Sequence, residues 1–274
     1  MVRVESIRSA LAASGLVPLD AQVLLAHVLA KDRAWLLAHT GEALSREQAD
    51  RFLALAKRRR DGEPVAYLTG IREFWGLPIA VSPAVLIPRP ETETLVELAL
   101  SRMPIDRDLR VLDLGTGSGA IALALAHERP RAHVVATDTS QDALAIARAN
   151  AHRLHIFNVE FIEADWYEGI TATGFDVIAS NPPYVELQDP HLDEGDVRFE
   201  PRAALTPTGD GLGALRAIVG GARARLVPGG TLVVEHGYDQ SESVRALFAE
   251  AGFIDNIAAR DLAGIPRVVA GRAP

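Results

Sequence analysis

The chain has 274 residues, 48% of them hydrophobic and 23% charged, which is the balance of a soluble globular protein with length enough for two domains. Its net charge of −8 argues against tight, sequence-independent nucleic-acid binding, which depends on Lys and Arg neutralising phosphates. Zero cysteines exclude disulfides and thiolate metal sites, no run reaches the ~20 apolar residues of a membrane span, and Glu5, Ser6 and Arg8 do not fit a secretory leader, so a cytoplasmic protein with no membrane partner is expected.

Residues 1 to about 70 read as short amphipathic helices. Val4, Ile7, Ala10, Leu11 and Leu16 form one apolar stripe, and Val23, Leu24, Ala26, His27, Val28 and Leu29 form another. Asp32 is placed to cap a third helix carrying Trp35, Leu36 and Leu37. Ser45 with Gln48 matches a capping box ahead of Phe52, Leu53, Leu55 and Ala56, and Gly62 with Pro64 ends that helix. His27 and His39 read as packing or capping residues, and no metal is expected. The run Lys57-Arg58-Arg59-Arg60 reads as a solvated helix end favoured by the helix dipole, with a local basic patch as the alternative.

From Ile71 to Ser82 the pattern turns extended, with Gly76-Leu77-Pro78 as the expected turn of a β-hairpin. Pro83, Pro88 and Pro90 stiffen the approach to a helix over about 91–102. From Leu109 strands and helices alternate, which predicts a parallel sheet covered by helices on both faces. Strands are expected over 110–114, 132–137, 159–163, 175–180 and 231–236, then near 253–259 and 267–270. Helices are expected over 118–128, 212–226 and 241–251, and Pro228-Gly229-Gly230 reads as a plain turn.

Open sheets of this kind bind ligands at the carboxyl ends of their strands, and four strand ends carry chemistry. The first is the loop Gly115-Thr116-Gly117-Ser118-Gly119, whose glycines let the backbone turn tightly and a ligand approach the following helix; the spacing alone also satisfies a dinucleotide-binding fingerprint. Asp113 just before it is placed to meet a cationic ligand end, with a solvated or loop-capping acid as the alternative. The second strand ends in Asp138, about where an acid accepts from ribose hydroxyls. The third ends in Asp165-Trp166, placed to accept from an exocyclic amine and to cover adenine with a flat face, with a buried structural tryptophan as the alternative. The fourth ends in Asn181-Pro182-Pro183-Tyr184, a stiff loop, because each proline lacks an N–H and restricts the residue before it. An amide, outward carbonyls and an aromatic ring suit gripping a planar –NH2 group. The acidic segment 185–198 is too long for a plain connection and is either functional or mobile; Glu200 and Arg202 after it either orient it or form a structural pair.

Asp-Leu-Gly-Thr-Gly-Ser-Gly at 113–119 with Asn-Pro-Pro-Tyr at 181–184 resembles the S-adenosylmethionine-dependent amino-group methyltransferases. With Arg72 to Leu77 and Val81, Ile87 to Glu93, and Phe199 to Leu205, the chain resembles the HemK/PrmC family, which methylates the glutamine of the Gly-Gly-Gln motif in peptide chain release factors. The resemblance implies an α/β fold: a Rossmann-like methyltransferase domain over 89–274 with a seven-stranded, mostly parallel sheet, a substrate-recognising helical domain over 1–70, and a hairpin linker over 71–88. It implies S-adenosylmethionine as cofactor and S-adenosylhomocysteine as product, a release factor as partner, and no direct nucleic-acid binding. A monomer is expected. Cofactor contacts are expected from Asp113, Gly115, Thr116, Gly117, Ser118, Gly119, Asp138, Asp165, Trp166 and Asn181. Asn181, Pro182, Pro183 and Tyr184 are expected to hold the acceptor, with Asn181, Pro182 and Tyr184 catalytic. Two other acceptors share much of this pattern: a ribosomal-protein glutamine, and adenine N6 in a nucleic acid. A nicotinamide dehydrogenase fits the glycine spacing but leaves Asn181 to Tyr184 without a role.

Overall fold

The structure, a computed structural model, describes residues 6–207 and 210–274; the expected contribution of Val4 lies outside them. The chain forms two compact units, one built from the residues up to Ile71 with His191–Phe199, the other from Arg72–Pro190 with Glu200–Pro274.

The first unit is helical: α1 (Ile7–Ala13), α2 (Pro18–Leu29), α3 (Arg33–Ala38), α4 (Arg46–Arg60) and α5 (Val65–Thr69). Local chemistry starts each long helix. Pro18 opens α2, where its missing N–H costs nothing, and Ser45 and Gln48 close the expected reciprocal cap on α4. Asp32 accepts from the Trp35 amide at 2.7 Å. Ile7, Ala10, Leu24, Leu25, Val28, Leu36 and Phe52 are buried together as the core. Two expected members face outward: His27 and Leu37 are exposed. His39 is the C-cap of α3 and stacks on Trp35 with ring centroids 4.3 Å apart.

The arginine run at the end of α4 is neither a free basic patch nor simply solvated. Arg58 pairs with Glu63, Arg60 donates to the Ser14 carbonyl, and Arg59 bridges Asp20 at 2.7 Å and Asp196 at 2.6 Å. Asp196 belongs to the acidic loop. There, Pro190–Asp193 and Val197–Phe199 form short 3-10 turns, and Arg198 donates to the Asp61 carbonyl at 3.0 Å. Opposite charges thus organise a segment whose composition alone reads as a solvated loop.

The second unit opens with a two-stranded hairpin, β1 (Ile71–Phe74) and β2 (Leu77–Ala80). Its turn is Trp75-Gly76, not Gly76-Leu77-Pro78. Both turn residues have positive φ, 54° and 71°, the geometry that matches the twist of paired strands. Trp75 holds this unfavourable conformation because its amide donates to Glu93 at 2.9 Å and its indole to Glu128 at 3.0 Å. A 3-10 turn over Pro90–Thr92 then leads into α6 (Glu93–Leu100).

The sheet follows: β3 (Arg110–Leu114), α7 (Ala120–Glu128), β4 (His133–Asp138), α8 (Gln141–Leu154), β5 (Val159–Glu163), β6 (Phe175–Ser180), α9 (Gly213–Ala222), β7 (Leu226–Glu235), α10 (Ser241–Glu250), β8 (Ile254–Arg260) and β9 (Pro266–Arg272). The strand order is β5-β4-β3-β6-β7-β9-β8, with β9 antiparallel to both of its neighbours. Pro228-Gly229-Gly230 does not end a strand; it lies inside β7, where the register against β6 shifts between Phe175 and Val177. Leu112, Leu114, Phe175, Ile178, Leu232, Val234 and Phe248 are fully buried, and burying each such side chain contributes about 1.5–3 kcal/mol.

Candidate active site

Strand register decides which residues meet. Leu114 is level with Thr137 on one side and Ser180 on the other, and Ser180 is level with Val234. The next residue along each strand therefore begins a row at the carboxyl edge: Asp138, Gly115, Asn181, Glu235. The Ser180 hydroxyl donates to the Leu114 carbonyl at 2.7 Å, tying the glycine loop to the Asn-Pro-Pro-Tyr loop.

A cavity of about 250 Å³ opens along this row. Gly115, Thr116, Gly117, Ser118, Asp138, Trp166, Asn181 and Pro183 line it, together with Phe74, Arg89, Thr92 and Pro201. Of the expected residues, Asp113, Gly119, Asp165, Pro182 and Tyr184 do not line it. Asp113 is 0% exposed behind the glycine loop, and neither of its oxygens makes a regular hydrogen bond. Burial pushes its carboxyl up to about 7, opposed by the Thr116 hydroxyl and the Ala122 amide. Asp165 is exposed and paired across a tight bridge with Glu168, while Trp166 beside it takes a left-handed φ of 48° and turns into the cavity wall. Pro182 is buried.

The glycine loop is held from within. Thr116, Gly117 and Gly119 donate their amides to the Thr137 carbonyl at 2.8 Å, to Asp138 Oδ2 at 2.9 Å and to the Thr116 carbonyl at 2.8 Å. A pyrophosphate would need such amides free. This loop instead presents bare backbone: a Cβ at Gly117 would meet nothing within 4 Å. Asp138 also accepts from the Ser140 amide at 2.9 Å, so it shapes the cavity as well as lining it. A carboxylate, a close-approach backbone and the indole of Trp166 fit a nucleoside without phosphates better than a dinucleotide.

Gly119 has φ +85°, and a Cβ there would lie 3.1 Å from that of Ala147 and 3.2 Å from Leu123 Cδ1. Left-handed strain and crowding add, so Gly119→Ala is expected to destabilise the fold by about 1–3 kcal/mol, read as a lowered Tm. The same left-handed residue explains why α7 begins at Ala120 and not at Ser118.

The Asn-Pro-Pro-Tyr loop is anchored at both ends. Asn181 Nδ2 donates to Thr92 Oγ1 at 3.1 Å, and Oδ1 has no partner among the described residues. The Tyr184 hydroxyl donates to Glu235 Oε1 at 3.0 Å, and its carbonyl accepts from Gln240 at 3.0 Å. Burial raises the Tyr184 hydroxyl well above its ordinary pKa, and the Glu235 charge adds to this, so the tyrosine stays protonated. Arg89 reaches Glu200 at 2.7 Å, where the glutamate side chain is fully buried. Glu200 is named from the sequence with Arg202, and the structure pairs it with Arg89; Thr92, Arg89 and Glu235 are not among the expected site residues. Glu235 carried a signal: an acid ending the apolar run Leu232-Val233-Val234 at the same edge as Asp138.

Residues 4–70 match the family model described as the PrmC N-terminal domain, and residues 92–210 the methyltransferase small domain. The chain is 51% identical over 266 residues to the release factor glutamine methyltransferase of Bordetella pertussis, covering 97% of this chain and 98% of that one. It is 49% identical over 253 residues to the protein of the same name from Escherichia coli, covering 92% and 91%. Among solved structures, a methyltransferase from Pyrococcus furiosus superposes with a TM-score of 0.55 at 18% identity over 79% of this chain and 96% of that one, a likeness of fold. Half-identical sequences over nearly the full length, with the glycine loop and the Asn-Pro-Pro-Tyr loop at one cavity, place this chain in the release factor glutamine methyltransferase family.

Proposed function

We propose that the chain transfers a methyl group from S-adenosylmethionine to the side-chain amide nitrogen of the glutamine in the Gly-Gly-Gln motif of a peptide chain release factor. One observation carries the reading: on a cavity wall shared with the glycine loop and Asp138, Asn181 commits its NH2 group to Thr92 and keeps its oxygen available. An acceptor amide offers two N–H donors, and an oxygen is what it needs to meet.

When bound, S-adenosylmethionine supplies an electrophilic methyl group on sulfur. Asp138 would hold the ribose hydroxyls and Trp166 would cover the base, with Gly115 and Gly117 allowing close approach. Asn181 Oδ1 and the Pro182 carbonyl would each accept one N–H of the acceptor amide. A glutamine nitrogen is a poor nucleophile because its lone pair is delocalised into the carbonyl; holding both hydrogens to one side favours pyramidalisation and aims the lone pair at the methyl carbon. Tyr184, fixed by Glu235, would pack beside the amide and limit its rotation. The nitrogen–carbon bond forms as the carbon–sulfur bond breaks, and the extra proton leaves to water. Such orientation is worth roughly 7–11 kcal/mol, so no strong base is needed before transfer.

Residues 1–70 are assigned to recognition of the release factor, 71–88 to a linker and 89–274 to catalysis, with the enzyme acting as a cytoplasmic monomer. The basic run of α4 is engaged by its own acids and carbonyls, which weakens the adenine alternative. Incubation with release factor and methyl-labelled S-adenosylmethionine, followed by peptide mass spectrometry, should find one added methyl on the Gly-Gly-Gln glutamine. A release factor with that glutamine replaced should gain none; label elsewhere would reject the assignment.

Asp138→Ala removes an anchor of the glycine loop together with the ribose acceptor. Its expected effect is a 10- to 100-fold rise in cofactor Kd by calorimetry, from about 1.5–3 kcal/mol of charge-assisted hydrogen bonding. Unchanged affinity would remove Asp138 from this role.

A further inference from the structure

We propose that Thr92 and Glu235 are positioning residues that set which way round the Asn181 amide sits, with the Glu235 carboxylate turning the Thr92 hydroxyl so that its oxygen receives Asn181 Nδ2. The inference rests on the proposed amide-methylating function.

The geometry is a short relay across three elements. Thr92, in the 3-10 turn before α6, is 4% exposed, and Glu235, at the end of β7, is 1% exposed. Asn181 donates to the threonine oxygen at 3.1 Å, and Tyr184 donates to Glu235 Oε1 at 3.0 Å. Glu235 Oε2 is buried without a regular hydrogen bond, and the Thr92 hydroxyl stands beside the carboxyl and favours its ionised form. A hydroxyl has one proton to place. Beside a carboxylate it points that proton at the charge, and its lone pairs then receive the asparagine NH2.

Reversing the donor sense at position 235 should reverse the whole relay. A glutamine there can donate to the Thr92 oxygen, and the threonine proton then turns to Asn181. The asparagine amide must flip to accept it, presenting NH2 where the acceptor glutamine also presents NH2. Two donors then face each other, and both binding and orientation of the acceptor suffer.

Protonating Glu235 has the same consequence as replacing it with glutamine. Burial pushes this carboxyl up to about 7, opposed by Thr92 and Tyr184 and by Arg267 on β9, while Glu91 in the 3-10 turn pushes the same way as burial. His236, the next residue on β7, is held neutral by burial, which lowers its pKa. The required form is the ionised one, so turnover should rise with pH through about 7 and fall below it.

The test compares wild type, Glu235→Gln, Thr92→Val and Thr92→Ser, using release factor as acceptor. Glu235→Gln is expected to lower kcat about 30- to 300-fold, in the range for losing one transition-state hydrogen bond. Its pH profile should lose the limb near 7, and binding of a Gly-Gly-Gln loop peptide with S-adenosylhomocysteine present should weaken about tenfold. Affinity for S-adenosylhomocysteine itself should stay within about twofold, since Glu235 lies outside the cavity lining. Thr92→Ser, which keeps the hydroxyl, should recover most of what Thr92→Val loses. In an Asn181→Ala background, Glu235→Gln should cost no more than about twofold, because nothing is left to flip. Full additivity there, an unchanged pH limb in Glu235→Gln, or wild-type turnover in that variant would each overturn the positioning role while leaving the methyltransferase reading in place. Failure of the wild type to methylate release factor would overturn both.

Discussion

Replacing Asn181 with alanine is expected to cut methyl transfer roughly 10²–10³-fold while cofactor affinity stays within a few-fold, the loss typical of one transition-state hydrogen-bond partner. Asn181 is a wall residue of the cavity, and its Nδ2 bond to Thr92 fixes the side chain without using the oxygen. Removal leaves the glycine loop intact, because that loop is held by Thr137, Asp138 and Ser180. It also leaves the backbone of the loop in place through Tyr184 and Gln240. The variant should therefore bind S-adenosylhomocysteine normally in calorimetry and fail in single-turnover transfer to release factor. Asn181→Asp keeps an oxygen but replaces the donor to Thr92 with a second acceptor, so it should be impaired as well. Near-wild-type turnover in the alanine variant would dismiss the amide clamp.

Much of this arrangement is legible in the sequence. Strands β3, β5 and β6 fall where the sequence predicts them, because apolar runs end abruptly in glycine, acid or Asn-Pro. The glycine loop, Asp138, Trp166 and Asn181 share one cavity because parallel strands in register deliver their ends to one edge. The misreadings have physical causes. Pro78 looks like a turn residue but sits in a two-stranded hairpin, where a missing N–H is tolerated, while a tryptophan takes the left-handed position because two glutamates hold it there. Asp113 reads as a site acid from its place beside the glycines, yet its burial depends on the strands that flank β3, which no local pattern reveals. Thr92 and Glu235 are 143 positions apart, and only the fold makes them neighbours. The arginine run reads as surface because Asp20, Asp196 and the Ser14 carbonyl, which engage Arg59 and Arg60, lie far from it along the chain.

Arg89→Ala is expected to be the most destabilising single change at the site, by about 3–5 kcal/mol, because it takes one partner out of an ion pair with a buried carboxylate. The Glu200 side chain is fully buried, and Arg89 Nη2 reaches its Oε2 at 2.7 Å while remaining 30% exposed. Solvent at the arginine favours the low end of that range. For a domain of nearly 200 residues the loss corresponds to a Tm roughly 6–16 °C lower. Arg89→Lys should recover part of it, since an ammonium retains the charge but not the planar donor fork. A companion variant separates charge from packing: Arg89→Ala combined with Glu200→Gln replaces the carboxylate with a neutral amide that needs no cation, and it should melt above Arg89→Ala alone. If the double variant melts lower still, the pair matters through shape and not through charge. Position matters too, because Glu200 is where the chain re-enters the second unit after His191–Phe199, and Pro201, Ala203 and Ala204 just beyond it line the same cavity as Arg89. Loosening that re-entry point should disturb the cavity wall, so the Arg89→Ala enzyme, assayed well below its lowered Tm, should transfer methyl groups to release factor more slowly than wild type.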